Sequence, residues 1–324
     1  MIVESEFRPA PWLKNPHLQT IFAASLRPRP RLRLRRERIE LPDGDFLDLD
    51  WADAGTRPGA PVVILLHGLT GSIQSKYARG LMRRLNALGW RPVLMHFRGA
   101  SGEPNRLPRG YHSGETTDIN FVAQLLQGRE PRTSLAVVGF SLGGNVLLKW
   151  LGEQGHAAPV ATAVAVSVPF DLRLCAAAMR QGFSRVYQNR LLRLMRASVR
   201  QKFGRMESPF PLPKLDRLRD FFEYDDAVTA PLHGFASVDE YYDRCSSRQF
   251  LKHIRVPTLV LHASDDPFMS PQVVPHNDEL SDAVTLELSA QGGHVGFVSA
   301  DARGRPAFWL EQRIPAHLTR YLPA

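Results

Sequence analysis

The chain has 324 residues, 44% hydrophobic and 23% charged, with a formal net charge of +9 at pH 7. That apolar content is enough to bury a sizeable core, so the chain is not disordered as a whole, and no apolar run approaches the ~20 residues a membrane helix needs. Two cysteines, Cys175 and Cys245, exclude a disulfide scaffold and a cysteine-based zinc site and fit a reducing cytoplasm.

The first twelve residues carry acids and no apolar stretch, unlike a secretory signal. Residues 1–30 place Pro9, Pro11 and Pro16 among large apolar side chains and read as an extended arm packed on the surface. Over 31–51, apolar residues partly alternate with charge on both sides of Asp43-Gly44, which predicts an antiparallel hairpin with a solvated face. The pattern then changes. Continuous apolar runs at 61–66, 92–97, 134–140 and 160–168 read as strands buried on both faces. Helical spacing at 76–88, 114–127 and 142–154 separates them. Strand and helix in alternation predict a mostly parallel central sheet with helices on both faces. Residues 169–250 are helix-rich and basic, contain no buried-strand pattern, and read as an inserted helical cap. Strands resume at 256–263 and 284–289, and a helix over 306–322 with Pro315 near its middle closes the chain. The expected organisation is one domain over 1–324, with its core in 31–168 and 251–324.

The positive charge is uneven. Residues 27–38 hold seven arginines against Glu37, and residues 173–219 hold twelve Lys and Arg against Glu207 and Asp216. The rest of the chain is therefore net negative. Arginine next to leucine in 31–36 reads as a solvated strand face, and no aromatic stacking pattern accompanies it, so nucleic acid is not an expected partner. Residues 183–203 mix Phe183, Val186, Leu191, Leu192, Leu194 and Met195 with five arginines and Lys202. That composition suits either a cap helix or peripheral contact with an anionic membrane surface.

Gly139-Phe140-Ser141-Leu142-Gly143 is a G-x-S-x-G motif set between a buried strand and a helix, the context a strained nucleophile turn requires. Ser141 is the candidate nucleophile. A serine hydroxyl needs a base, and His294, in the glycine-ringed loop after the strand 284–289, is placed to supply it. The remaining histidines, His96 and His262 at strand ends among them, read as satisfied core, rim or surface residues. The acid that orients the imidazole should follow the strand 256–263, where Asp265 and Asp266 compete. The spacing to Met269 and Ser270 suits Asp266, with Asp265 bracing the turn. Backbone N–H groups of Leu142 and of Leu69, or of Thr70, would form the oxyanion hole. The chain order Ser–acid–His is that of one hydrolase fold and not of the two major serine-protease folds. No metal or cofactor is needed. Phe170, Leu172, Met179 and Phe183 would either wall an acyl pocket or pack within the cap.

Longer blocks carry more specificity. Asn15 to Thr20, Leu41 to Gly44, His67-Gly68-Leu69, His96 to Gly99 and Tyr111 to Glu115 belong to them. So do Gly139 to Asn145, Gly182 to Tyr187, His262 to Pro267 and Gly292 to Phe297. On these blocks the chain resembles, almost end to end, the YheT-like branch of the α/β-hydrolase superfamily, esterases related to the ABHD lipases of eukaryotes. The resemblance implies an α/β-hydrolase fold, a Ser141–Asp266–His294 triad and hydrolysis of a small-molecule acyl ester, with short- to medium-chain esters the first expectation. Acyl transfer or thioester cleavage would use the same acyl-enzyme, and binding of anionic membrane surfaces without catalysis is the non-enzymatic alternative. Oligomeric state is not legible.

Overall fold

The computed structural model describes residues 1–323. In chain order its first elements are β1 (Ile2–Glu4), α1 (Pro16–Ile21), β2 (Arg35–Glu40), β3 (Phe46–Trp51) and β4 (Val62–Leu66). Next come α2 (Lys76–Ala87), β5 (Arg91–Met95), α3 (Thr117–Arg129), β6 (Leu135–Phe140), α4 (Leu142–Gln154) and β7 (Thr162–Val166). Five helices follow: α5 (Leu172–Met179), α6 (Ser184–Phe203), α7 (Phe221–Tyr224), α8 (Ala230–Leu232) and α9 (Val238–Cys245). The chain ends with β8 (Thr258–Ala263), β9 (Val284–Ser289), β10 (Val298–Ala300), β11 (Pro306–Phe308) and α10 (Leu310–Leu318).

Nine strands form one sheet in the order β1-β9-β8-β7-β6-β4-β5-β3-β2. Every pair from β1 to β5 along that order is parallel, and β3 and β2 close the other edge antiparallel. The continuous apolar runs follow from two-sided burial. Val62, Ile64 and Leu66 of β4 face one core with α3 and α4, while Val63 and Leu65 face the other with α2 and α10. Each such side chain contributes about 1.5–3 kcal/mol on burial. The expected mostly parallel sheet, covered on both faces, is the sheet observed.

Three expectations change. Part of the arm is structural rather than superficial: β1 adds to the sheet edge beside β9, and Phe7, Ala10, Leu13 and Gln19 are buried. The final helix starts at Leu310, because Pro306–Phe308 instead pair with Val298–Ala300 as a two-stranded ribbon. The hairpin β2–β3 forms as expected, but its charged side is not simply solvated. Arg36 stands opposite Asp50 and Arg38 opposite Asp48. Each guanidinium forks onto its carboxylate at 2.7–2.9 Å, and both carboxylates are buried.

Among the described residues no strand occurs in 169–250, and α5 to α9 lie there between β7 and β8. In α6, Leu192 and Phe203 are buried while Phe183, just before it, and Val186 and Leu194 on it are exposed. No helix among the described residues is long and apolar enough to cross a membrane.

β4 has β5 on one side and β6 on the other. The connection after β4 therefore runs to β5 on one side, while the connection after β6 runs to β7 on the other. In open α/β sheets such a switch point leaves a crevice at the carboxyl ends of the strands. Here those ends carry His67-Gly68-Leu69, after β4, and Ser141, after β6.

Candidate active site

Ser141 follows β6 and caps α4 with φ +51° and ψ −118°, a backbone region L residues rarely adopt. The flanking glycines are a steric requirement of that turn. A Cβ on Gly139 would lie 2.4 Å from the Gly143 carbonyl oxygen, and one on Gly143 would lie 2.6 Å from the carbonyl oxygens of Leu66 and His67.

His294 Nε2 lies 2.9 Å from Ser141 Oγ, and His294 Nδ1 lies 2.8 Å from Asp266 Oδ2. The sequence left two aspartates open, and Asp266 is the one against the ring. Its side chain is buried, and its other oxygen accepts the Phe268 N–H at 2.9 Å. Asp265 instead accepts the Gly293 N–H at 2.9 Å, bracing the histidine loop, and burial raises its pKa above the usual carboxylate value. A hydroxyl in reach of an imidazole that a buried carboxylate orients can act as an activated nucleophile.

The loop after β4 passes directly over the serine: a Cβ on Gly68 would lie 3.3 Å from Ser141 Cβ. Tyr77 Oη accepts the Gly68 N–H at 2.9 Å and Tyr111 Oη accepts the Thr70 N–H at 3.0 Å. The Leu69 amide between them, like the Leu142 amide at the start of α4, has no hydrogen-bond acceptor among the described residues. Both are thus free for a ligand, whereas Thr70 is engaged. His67 is a strut. Deep burial lowers its pKa to about 3, so it is neutral, with Nδ1–H donating to Gly68 O at 2.8 Å and Nε2 accepting the Phe97 N–H at 3.2 Å.

Ser141, His294, Leu69 and Leu142 line a cleft of about 480 Å³. Of the four apolar residues considered for an acyl pocket, Leu172 and Met179 line it. Phe170 is fully buried in the core and Phe183 is exposed. His262 differs from a satisfied core histidine. It is buried, its pKa is lowered to about 4 by burial, and its Nδ1 has no partner among the described residues. No group of three or more His, Cys, Asp or Glu among the described residues could hold a metal ion.

Sequence reasoning missed the residues that hold the histidine loop. Thr20, at the end of the Asn15–Thr20 block, accepts the His294 N–H at 2.9 Å on Oγ1. Gln19 ties the arm to β10 through both main-chain groups of Val298. Ser167, also at positive φ, accepts the Val295 N–H at 3.0 Å. Phe268 stacks on the His294 ring with centroids 3.9 Å apart and planes 6° apart. The only sequence signal for Thr20 and Gln19 was their membership of a recognisable block.

Residues 61–301 match the family model described as alpha/beta hydrolase fold. The Escherichia coli (strain K12) protein named "Putative esterase YheT" is 44% identical over 99% of this chain and 95% of its own length. "Embryogenesis-associated protein EMB8" of Picea glauca is 31% identical over 96% of this chain and 72% of its own. A crystal structure of the Pyrococcus furiosus esterase Pf2001 superposes with a TM-score of 0.58 over 91% of this chain and 96% of that one, at 18% identity, a likeness of fold. The chain belongs to the α/β-hydrolase family, in the branch that includes YheT.

Proposed function

We propose that the chain hydrolyses carboxylic esters through an acyl-enzyme on Ser141, with His294 as general base and acid and Asp266 orienting the imidazole. The observation that carries this reading is the continuous Ser141–His294–Asp266 contact at 2.9 and 2.8 Å, within the strained turn. Ser141 Oγ attacks the acyl carbon as its proton passes to His294 Nε2. The carbon–oxygen bond to the alcohol then breaks, and His294 protonates the leaving oxygen. Water attacks the acyl-enzyme, giving its proton to His294, and the carboxylic acid leaves as Ser141 regains a proton. The N–H groups of Leu69 and Leu142 would receive the oxyanion, each worth about 3 kcal/mol at the transition state.

In this reading residues 169–250 act as a cap on the core of 31–168 and 251–324, and the arm of 1–30 supports the histidine loop. Leu172 and Met179 wall the cleft with apolar surface, and its volume suits a short- to medium-chain acyl group. The name "Putative esterase YheT" of the 44% identical relative supports the substrate class.

The test is direct. Ser141→Ala should remove labelling by a fluorophosphonate and lower hydrolysis of p-nitrophenyl butanoate by at least about 10³-fold, with the circular dichroism spectrum retained. Labelling that persists in the variant overturns the assignment of the nucleophile.

A further inference from the structure

Nine Asp and Glu residues are buried: Asp45, Asp48, Asp50, Glu115, Asp118, Asp220, Asp225, Asp266 and Glu287. Eight of them face an arginine or a histidine at ion-pair distance. Asp225 alone, among the described residues, has no basic partner. Two hydroxyls donate to it instead, Thr229 Oγ1 to Oδ1 at 2.6 Å and Tyr242 Oη to Oδ2 at 2.8 Å. A carboxylate offers about four lone-pair positions, so each oxygen retains capacity. Two neutral donors leave the charge itself unbalanced, which is costly in a buried position.

Its place in the fold gives that imbalance a use. Asp225 opens a π-helical turn, Asp225–Thr229, and such turns occur frequently at functional sites. It lines the cleft that holds Ser141 and also an adjoining cavity of about 450 Å³, and the two share Leu69, Thr70 and Leu142. The rings of Phe221, Tyr224, Tyr241 and Tyr242 lie along the same walls. Aromatic faces attract cations. The surrounding sequence is consistent with this, since residues 220–243 hold seven Asp and Glu and no Lys or Arg. Four Lys and Arg residues do reach these cavities, Lys76 and Arg190 in the first and Arg98 and Lys202 in the second. None pairs with Asp225: the Lys76 ammonium is taken by the Ser25 carbonyl, Arg98 by Asp43, Asp45 and Asp118, and the Lys202 ammonium by Asn105 Oδ1 at 2.8 Å and by the Arg109 carbonyl.

We propose that Asp225 and the aromatic rings beside it form a subsite for a positively charged nitrogen carried by the ester substrate, an amine or quaternary ammonium group within reach of Ser141. Burial raises the Asp225 carboxyl to about 6, so it is charged at neutral pH and available to the cation. A neutral hydroxyl could fill the remaining lone pairs but would leave the buried charge unanswered. The subsite rests on the ester-hydrolase reading above and narrows it to a substrate class.

The experiment compares two esters of one shape that differ only in charge, butanoylcholine and 3,3-dimethylbutyl butanoate. With the full chain, kcat/KM should favour the cationic ester by at least about tenfold, and Asp225→Asn should bring the ratio of the two close to one. Equal use of both esters by the wild type, or a preference that survives in Asp225→Asn, overturns the subsite. Failure of the ester reading is separable from failure of this one. If neither ester is cleaved, calorimetric titration with choline and with 3,3-dimethylbutan-1-ol reads the subsite without turnover. Tighter binding of choline that Asp225→Asn abolishes supports it, and equal binding overturns it.

Discussion

The hairpin β2–β3 and the segment between β7 and β8 treat the same ionic groups in opposite ways. In the hairpin, register sets arginine against aspartate across the ladder, and each buried carboxylate is matched by a guanidinium. Three of the seven arginines in 27–38, Arg35, Arg36 and Arg38, are thus paired along the sheet edge. The segment 169–250 holds fourteen Lys and Arg against ten Asp and Glu, yet it leaves one buried acid, Asp225, next to the cleft without a cation. Where charges are balanced, they serve the fold. Where one is left open beside a cavity, the missing partner is a candidate ligand.

Three substitutions sharpen or break that contrast. The largest effect is expected at Arg98, which is buried and holds Asp43, Asp45 and Asp118 together. Arg98→Met leaves the buried Asp45 and Asp118 without an ion-pair partner and Asp43 with Arg109 alone, and should destabilise the fold by about 4 kcal/mol in urea titration. A change below about 1 kcal/mol would mean that charge balance is not what holds this corner.

Asp225→Asn should act in the opposite direction. The carboxyl is near 3.8 when unfolded and about 6 when folded. A raised value means that the folded state binds the proton more tightly. The contribution of Asp225 to stability is therefore greatest below pH 4, falls as the pH rises through 6, and stays reduced above it. At about 1.4 kcal/mol per unit, the reduction is on the order of 3 kcal/mol. The variant should melt higher than the wild type at pH 8, and the difference should vanish toward pH 4. A pH-independent difference would show that Asp225 does not titrate there.

The smallest effect concerns a neutral contact. Thr20→Val removes the acceptor for the His294 N–H and should lower kcat/KM about tenfold, roughly 1.4 kcal/mol, with little change in melting temperature. Thr20→Ser keeps the oxygen and should restore activity. If serine fails where threonine succeeds, the methyl group and not the hydrogen bond positions the loop.

The parallel core was legible because strands buried on both faces are written as unbroken apolar runs, as in 62–66 and 135–140. β1, β10 and β11 were not, because three-residue strands carry no periodicity and owe their existence to partners such as Leu286 for Ile2. In the site, Ser141 and His294 announced themselves through glycines that the local backbone demands. The choice of Asp266 over Asp265 depends on which way each side chain leaves the turn, which spacing suggests but only geometry fixes. The roles of Thr20 and of the cross-strand arginine–aspartate pairs depend on register and on contacts between distant parts of the chain. Pattern along the chain does not encode them.

The contact between Thr20 and His294 has a consequence in time. It joins positions 274 residues apart, and Ile2 pairs with Leu286 across a similar span. During synthesis Ile2 and Thr20 leave the ribosome more than 270 residues before their partners exist. Until residues 284–297 emerge, Ser141 can be present in a formed β6–α4 turn with no imidazole beside it and no loop for Thr20 to hold. The contacts around His294 therefore form only after most of the parallel sheet has been made.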